Sequence, residues 1–327
     1  MRRSLYAGLA LALAGLLLLS VAFGEVALTT AQYARALTDP ESPEAEVLWA
    51  VRAPRGVCAA LVGACLGLSG ALMQGLLRNP LADPGVLGVS ALAALGSVVA
   101  IVLGLAAIPG AVELAALGGA AVAASLLVAA AARLREPEAL ILFGVAVSAF
   151  AGALLSLVFN LSPAPLATSE LLAWSLGSVE NRSWTDASWT AALLLAAAVA
   201  SLKVKRGLRI LTLGEDTAAT LGESLPRLKA WAVAAAALAT GAAVAVAGAV
   251  GFVGLIAPHL VRAAVREDPS RLLGPSALTG AALLVAADLV ARVIPTEVEL
   301  KLGVVTALVG APLFALVAWR AARSWRG

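Results

Sequence analysis

Long apolar stretches separated by short polar connections run along the whole chain. Nine clear apolar runs lie at 5–28, 57–77, 86–108, 112–132, 139–161, 187–202, 230–250, 272–293 and 302–319. A helix needs about 20 apolar residues to cross a bilayer's hydrocarbon core, so each run predicts a spanning helix. A tenth stretch, Gly251 to Val265 (GFVGLIAPHLVRAAV), is apolar but short.

The basic residues decide how that stretch is used, because short cytoplasmic loops are enriched in Lys and Arg. Arg2 and Arg3 place the N-terminus inside. The next inside connections then hold Arg78, then Arg133 with Arg135, then Lys203, Lys205, Arg206, Arg209, Arg227 and Lys229. Arg262, Arg266 and Arg271 follow the short stretch, and Arg320, Arg323 and Arg326 close the chain. Both segments flanking 230–261 are basic, so the chain must cross and return within them. One full helix and one short helix fit, with Gly248 and Gly251 expected to permit the reversal. The prediction is an all-α polytopic membrane protein of ten transmembrane helices with both termini cytoplasmic, one transmembrane domain over 1–327. Seventeen of the 23 basic residues then lie inside, and twelve of the 20 acidic residues lie outside or near the outer ends. Trp49, Trp174, Trp184 and Trp189 fall near outer ends and Trp231 and Trp319 near inner ends, as an aromatic belt does.

Composition closes the alternatives. Of 327 residues, 61% are hydrophobic and 13% charged, whereas a soluble domain has about 25% charged residues. A soluble fold and a disordered chain are both excluded. The net charge of +3 carries no nucleic-acid signature. Arg2-Arg3 before an apolar run resembles a signal peptide, but the run is too long for one, and an uncleaved first span is expected. Cys58 and Cys65 share a helix face inside one span and read as small buried residues. The runs Gly63 to Gly67 and Gly67 to Gly70 place small residues where helices can approach closely.

The parts of an enzyme are missing from the sequence. There is no phosphate-binding GxxxxGK[ST], no HExxH, no GxSxG and no cysteine–histidine cluster, and His259 is the single histidine. No metal site and no cofactor are expected in this chain. Transport is the remaining class. Asp288 is the outstanding intramembrane carboxylate, and Arg292 follows it by four residues on the same helix face; a structural ion pair is expected rather than a proton relay. A carrier driven by protons would show more buried carboxylates, so energy should come from elsewhere. The inside segment 208–226 supplies a place for it to enter. Gly214 opens the segment, and Glu215, Asp216 and Thr217 start a short helix with acids at its positive end. Ala218, Ala219 and Leu221 continue it and Gly222 ends it.

These residues carry a family resemblance. The chain resembles the permease subunits of bacterial ABC importers for iron chelates, haem and cobalamin, over essentially its whole length. The likeness rests on Arg52-Ala-Pro-Arg55; on Ser69-Gly70 with Gln74; on Arg78 to Pro84 and Leu87 to Ser90; on Leu213-Gly214-Glu215 through Leu221-Gly222; on Gly251 to Arg262; and on Ala287-Asp288 with Arg292 and Gly303 to Pro312. It implies ten spans in the bacterial inner (cytoplasmic) membrane and a homodimer around a central pathway. It implies two ATP-binding-cassette ATPases beneath, which bind ATP and Mg, and a periplasmic or lipid-anchored substrate-binding protein above. Residues 214–219, 221 and 222 would then couple to the ATPase. Arg52, Arg55 and Arg292 would dock glutamates of the binding protein. The loop Arg135-Glu136-Pro137-Glu138 would lie at the cytoplasmic gate, where its acidic residues and proline depart from the cobalamin permeases. The cargo implied is a metal chelate, a ferric siderophore, with haem and cobalamin as alternatives. A proton-coupled secondary carrier acting alone is the rival class.

Overall fold

The computed structural model describes residues 2–24, 27–85, 87–134, 137–161, 175–294 and 299–324, and these contain helices and no strand. In chain order the α-helices are α1 (Arg2–Ala22), α2 (Thr30–Thr38), α3 (Pro43–Glu46), α4 (Ala53–Leu77), α5 (Val89–Val102), α6 (Ala111–Arg133), α7 (Pro137–Leu161), α8 (Trp184–Leu211), α9 (Glu215–Thr220), α10 (Leu225–Ala247), α11 (Val253–Arg262), α12 (Pro269–Val293) and α13 (Leu302–Ser324).

Seven helices are long and apolar enough to cross a membrane: Arg3–Ala22, Pro43–Leu77, Ala111–Arg133, Glu138–Leu161, Trp184–Leu211, Leu225–Ala247 and Pro269–Val293. Three shorter apolar helices, Val89–Val102, Val253–Val265 and Leu302–Leu316, lie on the other apolar runs. The run at 86–108 is only partly helix, because Gly104 adopts φ 74° and a 3₁₀ turn, Leu105–Ala107, follows. Lys203 stacks 3.8 Å above the Trp231 ring, and the Trp184 indole N–H donates to the Trp49 carbonyl at 2.8 Å.

The bundle is built around α4. All of α4 except Val57, Ala60 and Leu61 is buried, against α12, α10, α8, α11 and α1. Lipid supplies no hydrophobic drive between helices, so close packing must hold them. A Cβ on Gly63 would overlap the Gly280 carbonyl, and one on Gly67 would overlap the Ser276 carbonyl. Glycine is therefore obligatory where α4 meets α12. On its other flank, Ser69 Oγ donates to the Ala236 carbonyl at 2.9 Å and lies 2.6 Å from Thr240 Oγ1, tying α4 to α10.

Between α10 and α11 one of the two expected glycines takes a left-handed conformation and the other does not. Gly248 takes φ 66°, whereas the second positive φ, 68°, belongs to Phe252 and not to Gly251. Phe252 meets Phe314 edge to face, with centroids 6.5 Å apart. A Cβ on Gly310 would strike the Phe252 side chain, so Gly310 gives that ring its seat. Tertiary packing of one aromatic ring thus pins a conformation that would cost a free chain about 1 kcal/mol or more.

Candidate functional site

At the end of the bundle away from the N-terminus, three arginines meet two carboxylates. A π-helical turn, Val47–Arg52, leads into α4. Such a turn carries an extra residue, and here Arg52 and Arg55 both lie inside the bundle. Arg55 donates from Nε to Asp288 Oδ1 at 3.0 Å and from Nη2 to the same oxygen at 2.8 Å. Its Nη1 donates to Glu299 Oε2 at 3.1 Å, and its Nη2 also contacts Glu299 Oε1. Arg292 Nη2 lies 2.8 Å from Asp288 Oδ2. That oxygen has no aligned hydrogen-bond donor, so the Arg292 contact is one of charge. Arg292 also donates to the Ser20 and Phe23 carbonyls at 3.1 and 3.2 Å and to Ser20 Oγ at 2.7 Å. Arg52 Nη1 donates to the carbonyls of Val21 and Ala22, both at 3.1 Å, and to Tyr33 Oη at 3.3 Å.

The cluster joins the far ends of α1, α4 and α12 to the segment before α13. Asp288 is 1% exposed, and Arg52, Arg55 and Arg292 are 5%, 8% and 8% exposed. The Asp288–Arg292 pair stands where the four-residue spacing put it. Within this chain Arg52, Arg55 and Arg292 turn inward onto carboxylates and carbonyls at the ends of α1, α4 and α12. Sequence reasoning missed Glu299 and the partnership of Arg55 with Asp288, 233 positions apart. An unexplained carboxylate just before the last span was the available signal for Glu299.

At the opposite end, which we call the basic end, α8 and α10 hold α9 between them. Gly214 precedes α9 with φ 104°. Beyond it, Gly222 takes φ 81°, and the Glu223 and Gly222 amides donate to the Ala218 and Ala219 carbonyls, both at 3.0 Å. This left-handed stop satisfies the last carbonyls of a two-turn helix. Lys229 Nζ, on α10, lies 3.1 Å from Glu215 Oε1. Asp216, Thr217, Ala219 and Leu221 are exposed, while Ala218 is fully buried. Of the paired alanines only Ala219 belongs to the free face. Ala218 faces its own chain because α9 lies flat on α8.

The connection from α4 to α5 is a structural knot. Asn79 Oδ1 accepts from the Leu81 amide at 2.9 Å and Asp83 Oδ1 from the Gly85 amide at 2.6 Å. Gln74 Nε2 donates to the Gly254 and Leu255 carbonyls, both at 3.4 Å, and its Oε1 accepts from Arg262. These residues fasten the short helix α11 to α4. Of the segment 135–138, Arg135 and Glu136 lie outside the described residues; Pro137 begins α7 and Glu138 is exposed. Cys58 and Cys65 are buried and unpaired with each other. Among the described residues no group of His, Cys, Asp and Glu could hold a metal.

Comparison with known proteins agrees with this arrangement. An ABC transporter permease protein of Bacillus subtilis, YvrB, is 42% identical over 86% of this chain and 80% of its own length. The Fe(3+) dicitrate transport system permease FecD of Escherichia coli is 39% identical, covering 96% of this chain and 98% of FecD. The cobalamin import system permease BtuC of Halobacterium salinarum is 42% identical over 84% of this chain and 73% of its own. A solved metal-chelate type ABC transporter in an inward-facing conformation superposes with a TM-score of 0.84 at 29% identity, covering 98% of this chain and all of that one. Residues 9–320 match the FecCD transport family. With that match running from α1 to α13, through both the arginine cluster and α9, this multi-pass membrane protein belongs to the FecCD transport family.

Proposed function

We propose that the chain is the transmembrane permease subunit of an ATP-binding-cassette importer that carries a metal chelate, in the first place a ferric siderophore, across the bacterial inner membrane. On this reading all ten apolar helices span, both termini are cytoplasmic, and the basic end faces the cytoplasm. Two copies line the pathway. Two separate ATPases bind ATP and Mg and hydrolyse the nucleotide, while this chain contributes no catalytic group or cofactor. A substrate-binding protein docks at the far end. There the arginine cluster acts as an anchor that sets the ends of α1, α4, α12 and α13, and so the surface the binding protein meets.

The observation that carries this reading is α9. It is a capped, two-turn helix with an exposed face, fixed by Ala218 and the Glu215–Lys229 pair to two long apolar helices. A push on α9 must move α8 and α10, because packed interiors transmit displacement rather than absorb it. The iron reading draws support from the full-length likeness to FecD. Cobalamin is a second reading, favoured by the 42% identity to the Halobacterium salinarum permease.

The test is uptake in proteoliposomes holding the permease with its ATPase. Binding protein loaded with a radiolabelled ferric chelate, or with labelled cobalamin, is supplied outside, with ATP enclosed or absent. ATP-dependent uptake of the ferric chelate alone is expected. Uptake that follows a proton gradient without ATPase refutes the reading.

A further inference from the structure

A cleft of about 240 Å³ opens at the basic end, away from the arginine cluster and from α9. It lies between the first turns of α1 and α12 and the 3₁₀ turn Ala263–Val265 that follows α11. Its floor is apolar, from Leu5, Val265 and Pro275, and its rim carries Tyr6, Arg266 and Arg271.

The position is that of a membrane boundary. Tyr6 and Leu5 stand one turn into an apolar helix whose Leu11 and Leu18 are bare on the bundle's outside. The cleft therefore sits at the end of an apolar helix, with an apolar lining and two cations beside it. The Arg266 guanidinium forms no ion pair or hydrogen bond with the described residues, and its backbone is held at φ 56° with Glu267 beside it at φ 59°. Two left-handed non-glycine residues in succession are costly. The amides of Arg266, Glu267 and Asp268 hold them there by donating to the Ala263, Arg262 and Val265 carbonyls at 3.1, 3.1 and 3.4 Å. Arg271 meets Asp268 through Nε at 3.1 Å; that leaves its two terminal nitrogens for another partner. Asp268 is also shared with Arg209 at 3.9 Å, so its charge does not cancel both rim arginines.

We propose that this cleft binds an anionic phospholipid. Arg266 and Arg271 hold the phosphate as guanidinium groups hold tetrahedral anions, Tyr6 offers its hydroxyl to the headgroup, and an acyl chain lies over Leu5 along α1. A zwitterionic lipid brings its own cation against the same arginines and is held less well. The site requires only that the protein be embedded in a membrane and does not depend on the transported cargo.

The experiment uses the permease–ATPase complex in detergent, mixed with equal amounts of phosphatidylglycerol and phosphatidylcholine, with retained lipid counted by native mass spectrometry. Arg266→Gln removes charge from a side chain with no protein partner, and Ala264→Trp fills the cleft while leaving both arginines. Wild type should retain phosphatidylglycerol selectively. Each variant should retain about five-fold less, the factor one arginine contributes beside an anionic surface. Arg227→Gln, an exposed basic residue at the start of α10 and outside the cleft, should retain as much as wild type. Inorganic phosphate at millimolar concentration should not displace the lipid, because the apolar floor contributes to holding it. Equal retention in wild type and both variants overturns the site. So does equal retention of the two lipids by wild type, and displacement by phosphate reassigns the cleft to a free anion. Uptake measured after the same proteins are reconstituted into proteoliposomes separates this result from the fate of the importer reading.

Discussion

Asp288 is the residue whose removal should be felt most, and the size of the effect follows from its neighbours. Its carboxylate is 1% exposed and faces two guanidinium groups at 2.8 Å. Asp288→Ala strands those cations unequally. Arg55 keeps Glu299. Arg292 keeps neutral partners, the Ser20 hydroxyl and the backbone carbonyls of Ser20, Phe23 and residue 288. Breaking one side of a buried pair costs about 3–5 kcal/mol, chiefly the burden of the charge left behind. Removing Arg292 as well lifts that burden, so the double variant Asp288→Ala/Arg292→Ala should lose less than the sum of the single losses. We expect a coupling energy of about 1–3 kcal/mol, the range for residues sharing one ion-pair network. The Asp288–Arg55 coupling should be smaller, since Glu299 compensates. The assay is reversible unfolding of the purified permease in mixed micelles, followed by helical circular dichroism across the four proteins of each cycle. A coupling below about 0.5 kcal/mol for Asp288–Arg292, within the additivity of independent sites, refutes the argument.

Three further outcomes are expected. Ala219→Trp should leave the thermal stability of the permease unchanged and abolish coupling of ATP hydrolysis to uptake, whereas Ala218→Trp should destabilise the permease itself because it overpacks a fully buried position; unfolding and ATPase assays on the two variants separate these results. Gly67→Ala should cost about 1–3 kcal/mol by pushing α12 from α4, read as a lowered unfolding midpoint, while Gly8→Ala, where a Cβ meets open space, should not. Ser69→Ala should cost about 0.6 kcal/mol, the average for a hydrogen bond between helices in a membrane, and should show coupling to Thr240→Ala in the same unfolding assay.

Much of this molecule was legible along the chain because lipid imposes a one-dimensional rule: a segment crosses only if it is long, apolar and hydrogen-bonded within itself. The apolar runs therefore marked the helices, and Gly214 and Gly222 the limits of α9. The Asp288–Arg292 pair was readable too, because four residues make one helical turn. Tertiary packing decided what depends on distant partners. It brought Arg55 to Asp288 and Glu299 across more than two hundred residues and gave Arg52 and Arg292 carbonyl partners at the end of α1. It split the alanine pair of α9, burying Ala218 and exposing Ala219, since a helix lying on its neighbour hides one side only. It also gave the left-handed conformation before α11 to Phe252 instead of Gly251. The physical reason is common to all three. Local sequence sets what a segment can form, but the side a residue faces is set by the helix packed against it.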